Sequence, residues 1–75
     1  MSIKLYDFLF IYNGYITVID SDIHDLIIFN NLHSSVVLFS NKELLNKLSV
    51  EYFIHTSNGL NVFVSDRSFN DFTKI

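Results

Sequence analysis

The chain of 75 residues contains no cysteine, proline, tryptophan, alanine or glutamine, and it has only two glycines. Without cysteine, neither a disulfide nor a thiolate metal site can hold the fold together. Stability must therefore come from packing alone, which is marginal in a domain of this length. The length leaves no room for a second core, so we expect one domain over residues 1–75.

Positive charge and long apolar runs are also scarce. The net charge is −3, and the five basic residues form no stripe that could neutralise phosphates, so we expect no nucleic-acid binding. The longest apolar run, Phe8 to Tyr12, is far shorter than the roughly 20 residues that span a bilayer. The first residues also lack the pattern of a secretory signal. We therefore expect a cytoplasmic protein that does not bind or cross a membrane.

Large hydrophobic side chains are abundant. The hydrophobic residues comprise nine Leu, nine Ile, six Val, eight Phe, four Tyr and one Met. A domain of this size buries only about 60% of the surface that its unfolded chain exposes, which leaves room for roughly 20 to 25 buried large side chains. About a dozen are left over, and a contiguous apolar surplus usually marks an interface. We therefore predict a homodimer or larger assembly, a binding surface for another protein, or both.

A capping box is the clearest helix signal. Ser40-Asn41-Lys42-Glu43 places a hydroxyl three residues before a carboxylate, so each side chain can accept from the other residue's backbone N–H. Apolar residues then follow at helical spacing at Leu44, Leu45 and Leu48. The sequence therefore predicts a helix over about residues 41–48, with Ser40 as its N-cap.

A hairpin is predicted around Ser57-Asn58-Gly59, between strands at 50–56 and 60–65. Every second residue of each strand is apolar and is assigned to one face: Val50, Tyr52 and Ile54, then Leu60, Val62 and Val64. A three-residue loop keeps the two apolar faces together, whereas a two-residue Asn-Gly turn would mix them. The three-residue loop places Gly59 at a left-handed bulge position and sets Phe53 directly opposite Phe63 on the other face.

The N-terminal half has two interpretations. Residues 3–12 can form a helix with Ser2 as N-cap and Gly14 just beyond its end, or a strand that turns at Asn13-Gly14. We favour the helix, because a strand would carry apolar residues on both faces and both would need cover. The helix places its largest apolar residues on one side: Leu5, Phe8, Leu9 and Tyr12.

The remaining segments complete an α+β pattern. Residues 15–20, 26–30 and 36–39 are rich in β-branched and aromatic residues and predict strands. Residues 67–75 are expected to be a loosely ordered tail or a single helical turn. The predicted order is α-β-β-β-α-β-β, an antiparallel sheet of about five strands with two helices.

Motifs for catalysis, cofactors or metals are not found. Asp20–Asp25 is the densest group of potential ligands, but it lacks the Gly and Glu positions of an EF-hand calcium loop and is interpreted as a solvated turn. His24, His33 and His55 have no metal-binding spacing and are interpreted as surface residues. No nucleophile motif or phosphate-binding loop is present. We expect a protein that is not an enzyme and that takes no cofactor.

The predicted pair Phe53/Phe63 is the leading candidate for an interface, with Tyr15, Tyr6 and His55 as possible neighbours. Aromatic side chains supply large contact area and are enriched in interfaces. Two interpretations stay open. The pair lies on an exposed sheet face that binds a partner, or the N-terminal helix covers it and it belongs to the core.

Composition also bears on the origin of the chain. The missing or rare residues Ala, Pro, Gly and Arg have mostly GC-rich codons, whereas the abundant Asn, Ile and Phe have AT-rich ones. In its size, its coding bias and its surplus of large hydrophobic residues, the whole chain resembles the small accessory proteins of phages or mobile elements of low-GC bacteria.

Some proteins of that kind are anti-defence proteins, including anti-CRISPR proteins. The resemblance implies an inhibitor that binds and blocks a host protein in the host cytoplasm. A homo-oligomeric structural or housekeeping protein of a low-GC bacterium is the alternative. A small-ligand or nucleotide-binding module built on oligomerisation is a third possibility.

Overall fold

The computed structural model describes residues 3–23 and 26–66. Within these ranges the order of elements is β-α-β-β-α-α-β-β. The strands are β1 (Ile3–Lys4), β2 (Tyr15–Asp20), β3 (Leu26–His33), β4 (Leu48–Thr56) and β5 (Gly59–Asp66). The helices are α1 (Leu5–Ile11), α2 (Ser34–Leu38) and α3 (Lys42–Lys47). The predicted α+β class and the five-stranded sheet are confirmed, whereas the predicted tail at 67–75 lies outside the described residues.

The sheet is mixed, which corrects the prediction of a purely antiparallel one. Its strand order is β1-β4-β5-β2-β3, and β2 runs parallel to β5 while every other neighbouring pair is antiparallel. A parallel pair needs a long crossover connection. Here β3, α2, α3 and β4 all lie between β2 and β5 along the chain. The predicted order of elements is also wrong, because a short strand precedes α1 and a third helix replaces a predicted strand.

The N-terminal segment is helical, as favoured, but it begins later than predicted. Residues Ile3 and Lys4 pair with β4 as an edge strand, so the N-cap of α1 is Lys4 and not Ser2. The helix buries Leu5, Phe8 and Leu9 against the sheet.

The predicted strand at 36–39 is wrong, because these residues belong to α2 and its C-cap. The ring nitrogen Nδ1 of His33 accepts from the N–H of Ser35 at 3.2 Å and caps the helix. The helix buries Val37 completely and leaves Val36 and Phe39 exposed. Packing against α1 and β3 thus outweighs the β-propensity of this segment.

The capping box is displaced by one residue. Oδ1 of Asn41 accepts from the N–H of Leu44 at 3.2 Å, so Asn41 is the N-cap of α3. The hydroxyl of Ser40 instead donates to the carbonyl of Val37 at the end of α2. The predicted N-cap Ser40 is therefore wrong, because the preceding helix uses its side chain.

The hairpin loop has two residues, Ser57 and Asn58, and Thr56 faces Gly59 across it. The predicted three-residue loop and its register are therefore wrong, because the sequence argument assumed regular alternation along β4. A β-bulge at Glu51 inserts one residue between two correctly paired segments. After the bulge, each side chain of β4 lies on the face opposite to the one predicted. Phe53 is therefore paired with Val62 and not with Phe63.

The core lies between the helices and one face of the sheet. Its buried members are Leu5, Phe8, Leu9, Ile16, Val18, Val37, Leu45, Leu48, Val50, Leu60, Val62 and Val64. With Ile19, thirteen hydrophobic side chains are buried in the described ranges, fewer than the roughly 20 to 25 predicted. Twelve large hydrophobic residues of the same ranges are exposed, in line with the predicted surplus. No helix of the described ranges is long and apolar enough to cross a membrane.

The backbone of Gly59 lies very close to the backbone of Tyr15 on β2. Its φ is +143°, and a Cβ on this residue would collide with the carbonyl oxygen of Tyr15. A Cβ on Gly14 would instead come within 2.9 Å of the hydroxyl of Tyr12, at the far end of a side chain that can move. The two glycines therefore differ in how well they tolerate substitution.

We expect Asn41→Ala to lower the free energy of unfolding by about 1 kcal/mol through loss of the N-cap. That change corresponds to a fall in melting temperature of about 4–8 °C for a domain of this size. Asn41→Asp keeps an oxygen acceptor at the cap and should melt close to the wild type. Thermal unfolding followed by circular dichroism measures both variants, and an unchanged melting temperature for Asn41→Ala would contradict the cap assignment.

We expect Gly59→Ala to lower the free energy of unfolding by about 2 kcal/mol or more, because strain at φ +143° adds to the clash with Tyr15. Gly14→Ala is the matched control and should cost far less, since only a movable hydroxyl is displaced. Urea unfolding of the two variants gives the comparison. Equal losses would show that the approach of the hairpin to β2 does not constrain Gly59.

Candidate functional site

No described helix packs on one of the two faces of the sheet. Successive side chains of a strand point to opposite faces, so the residues that alternate with the buried ones lie on the other side. All three helices contribute to the core on the first side. The opposite side, here called the open face, is formed by Tyr15, Thr17, Ile19, Ile27, Tyr52, Ile54, Asn61, Phe63 and Ser65.

Four of these residues form a continuous line across four strands, here called the apolar row. Tyr52 on β4 pairs with Phe63 on β5, which pairs with Ile19 on β2. Ile19 in turn pairs with Ile27 on β3. The inner member Ile19 is only 8% exposed, whereas Tyr52 and Ile27 at the ends are each 52% exposed. The apolar row is therefore buried by adjacent side chains at Ile19, and its two ends are exposed to solvent.

The rings of Tyr52 and Phe63 stack at the centre of β4 and β5. Their centroids are 4.5 Å apart and their planes differ by 10°. Cross-strand aromatic pairs of this kind stabilise a sheet beyond the area that they bury. The bulge at Glu51 creates the pair, because regular alternation would have turned Tyr52 towards the helices.

The apolar row carries no charged side chain, whereas the end of the open face next to β1 carries one, because Lys4 pairs with Ser49, which pairs with Ser65. The nearest carboxylate, on Glu51, accepts a 2.6 Å hydrogen bond from the hydroxyl of Ser65. Desolvating charged groups on binding is costly, and charged residues are depleted at the centres of interfaces. A partner could therefore cover the apolar row without burying a charged group.

A shallow polar groove continues the open face towards the hairpin tip. Its volume is about 400 Å³, and it is lined by Tyr15, Ile16, Thr17, Asn30, Asn31, Thr56, Asn58, Gly59, Leu60 and Asn61. Amide and hydroxyl groups dominate this lining, and none of its residues is charged. Apolar centres bordered by a polar rim are typical of protein interfaces.

Two of the predicted interface residues, Tyr15 and Phe63, lie on the open face. Phe63 belongs to the apolar row, and Tyr15 lies four residues from Ile19 on β2. The ring of Tyr15 meets His33 edge-on at 5.4 Å and is 54% exposed.

The other predicted residues, Phe53, His55 and Tyr6, do not join them. Phe53 and His55 point to the helix side of β4, where the ring of Phe53 lies 5.8 Å from Phe8. Tyr6 lies on α1, with the ammonium of Lys42 5.4 Å from its ring centroid. The predicted opposition of Phe53 and Phe63 is therefore wrong, and the interpretation of the pair as core residues is wrong for Phe53, which is 50% exposed. Phe63 is on the uncovered face, and Phe53 borders the helix layer.

Sequence reasoning missed Tyr52, Ile54, Ile19 and Ile27 as members of the surface. Tyr52 and Ile54 were assigned to the core face, because the bulge at Glu51 has no signature in the sequence. Neither Ile19 nor Ile27 was assigned to a face. Their position follows from the pairing of β2 with β5, which are separated along the chain by other elements.

The acidic segment that follows β2 forms a turn in which Oδ1 of Asp20 accepts from the N–H of Asp22 at 2.9 Å. In the described part of the chain, no three His, Cys, Asp or Glu residues come close enough to hold a metal ion. His24 and Asp25 lie outside the described residues.

The chain matches no protein-family model, no curated protein and no solved structure. The open face is therefore characterised by its own geometry and composition. It has an apolar centre, uncharged polar groups towards the hairpin tip, and the charged side chains of Lys4 and Glu51 at the end next to β1.

We expect Tyr52 and Phe63 to stabilise each other by about 0.5–1.5 kcal/mol, as stacked aromatic pairs do. A double-mutant cycle with Tyr52→Ala and Phe63→Ala, followed by urea unfolding, measures this coupling energy. The matched cycle with Phe53→Ala and Phe63→Ala should give additive losses within about 0.5 kcal/mol, because the two rings lie on opposite faces. A coupling confined to Phe53 and Phe63 would contradict the register of the hairpin.

Proposed function

We propose that the protein is a non-catalytic protein-binding module that docks on its partner through the open face. The apolar row is the observation that carries the proposal, because it places Tyr52, Phe63, Ile19 and Ile27 in line across four strands. Exposed apolar patches on small proteins commonly mark interaction sites.

The size of the open face supports contact with a protein. Four strands about 4.8 Å apart and five residues of about 3.3 Å each give a flat area of roughly 300 Å². The apolar row makes up only part of this area, and the largest apolar patches on monomeric proteins, which are often functional, cover about 300–600 Å². A standard interface covers about 800 Å² on each partner, so the polar groove and the rim would supply the rest.

We further propose that the partner is a host protein and that the chain is an inhibitor from a phage or mobile element that blocks a host defence protein. The compositional resemblance to such accessory proteins supports this identity. A flat face of this kind can act by occupying a surface that its partner needs, and this mode of action requires no catalytic group. The bound inhibitor would work in the host cytoplasm.

The alternative is a homo-oligomeric structural or housekeeping protein of a low-GC bacterium. The absence of charged side chains from the apolar row favours this alternative, because two copies could meet along the row without repulsion between like charges. In that case the apolar row would be covered by a second copy, and no further protein would bind to it.

We expect Ile27→Lys to abolish partner binding while the domain stays folded, because it puts an ammonium at the exposed end of the apolar row. Ile11→Lys on α1 is the matched control, since Ile11 is 74% exposed and lies outside the open face. Immobilised wild type and both variants are exposed to a lysate of a low-GC bacterium. The captured protein is then purified and titrated against each variant, with circular dichroism as the check on folding.

A single host protein that binds the wild type and Ile11→Lys, but not Ile27→Lys, is the expected result. Hydrogen exchange on the purified complex should then slow at Phe63 and Ile19. Equal binding by all three forms would contradict the assignment of the open face. Self-association as the only interaction, lost in Ile27→Lys, would establish the homo-oligomeric alternative in its place.

A further inference from the structure

The sheet has a free edge that is separate from the open face. The two-residue strand β1 pairs only with Ser49 and Val50 of β4. From Tyr52 to Thr56, no other described residue pairs with that side of β4, and this stretch is here called the free edge. Every residue of the free edge is exposed. A sheet edge presents unpaired backbone N–H and C=O groups that can pair with another strand.

The opposite edge of the sheet, β3, is protected against such pairing. Its register with β2 shifts twice, and Asn31 has a left-handed φ of +53°. Irregularities of this kind twist an edge away from regular hydrogen bonding and discourage the addition of a strand.

The bulge at Glu51 lies just before the free edge of β4, and the free edge itself has none of these protective features. It pairs residue for residue with β5 from Tyr52 opposite Phe63 to Thr56 opposite Gly59, without a shift. It contains no proline, no lysine and no carboxylate, the residues that commonly guard an edge. Of the two edges of the described sheet, the free edge of β4 is therefore the one that can pair with a further strand.

We propose that the free edge pairs antiparallel with the free edge of a second copy, about a two-fold axis at Ile54. Ile54 is the middle residue of the stretch, so this register pairs all five residues of each copy. It sets Ile54 against its own counterpart, Phe53 against the partner's His55, and Tyr52 against the partner's Thr56. No like charges meet in this register, and apolar, aromatic and hydroxyl groups face one another.

Pairing with a second copy is favoured over pairing with an unrelated strand, because the unpaired N–H and C=O groups of the free edges in both copies would then bond to each other. Phe53 and His55 already meet edge-on in one copy, with ring centroids 6.4 Å apart. The second copy would bring the same two rings to the seam in reversed order. Symmetric interfaces in which one patch meets itself are the commonest kind in homodimers.

The edge-to-edge dimer leaves the open face available. The two sheets would join into one continuous sheet whose open faces lie on the same side, so that the binding surface is doubled and not covered. The seam involves only five residues from each copy, fewer than the roughly 20–30 residues of a standard interface. We therefore expect reversible association in the micromolar range.

Single-cysteine variants test the register directly, because the natural chain contains no cysteine. Directly opposed residues of antiparallel strands have Cα atoms about 4.5–5.5 Å apart, within the range that a disulfide bridges. Under mild oxidation at micromolar concentration, Ile54→Cys should form a covalent dimer rapidly. Asn58→Cys in the loop is the matched control and should stay monomeric, because this register places it away from its own counterpart.

Sedimentation of the wild-type chain provides a second measurement that does not depend on the cysteines. We expect the mass to rise with concentration towards twice 8.8 kDa. Ile54→Lys should remain a folded monomer, since it sets two ammonium groups against each other. Ile27→Lys, which changes the open face but not the free edge, should dimerise like the wild type, and so should Ile11→Lys.

Three outcomes would overturn the edge-to-edge dimer. They are a wild-type monomer throughout the micromolar range, a dimer that survives Ile54→Lys, and rapid cross-linking of Ile27→Cys with none of Ile54→Cys. The last outcome would place self-association on the open face or on β3. Failure of the dimer leaves partner binding through the open face intact, because that is measured separately with Ile27→Lys.

Discussion

The structure depends on covering one face of a five-stranded sheet with three very short helices. These helices contain seven, five and six residues, and helices of such length are not stable without tertiary packing. The sheet in turn needs their apolar side chains to bury Val18, Val62 and Val64. With no cysteine to cross-link the chain, this mutual burial is what holds the domain together. It also explains why the fold is one-sided, since no described element remains to cover the second face.

The β-bulge at Glu51 determines what the uncovered side presents. Before the bulge, Leu48 and Val50 point into the core, and after it the alternation reverses. Tyr52 thereby moves to the open face and stacks on Phe63, while Phe53 moves to the border of the helix layer. One inserted residue thus converts what would have been a wider core into an apolar surface. Bulges commonly redirect side chains in this way near functional sites.

The two proposed contacts use different parts of the same strand. The side chains of Tyr52 and Ile54 on β4 point perpendicular to the sheet and contribute to the open face, whereas the backbone of β4 lies in the plane of the sheet and forms the free edge. A partner on the face and a second copy at the edge would therefore not compete for the same atoms. Two copies would present two adjacent open faces, and linked binding sites gain avidity when a partner can engage both.

The sequence by itself determined the α+β class, the helix at the N-terminus, the turn after β2 and the surplus of large hydrophobic residues. These follow from local periodicity and composition, which need no knowledge of distant contacts. Only the tertiary structure decided the parallel pairing of β2 with β5, the helical state of Val36 and Val37, the cap at Asn41 and the register of the hairpin. In each of these cases several local conformations have similar energies. Packing between residues that are far apart in the chain selects among them, and with them the face on which Tyr52 and Phe63 meet.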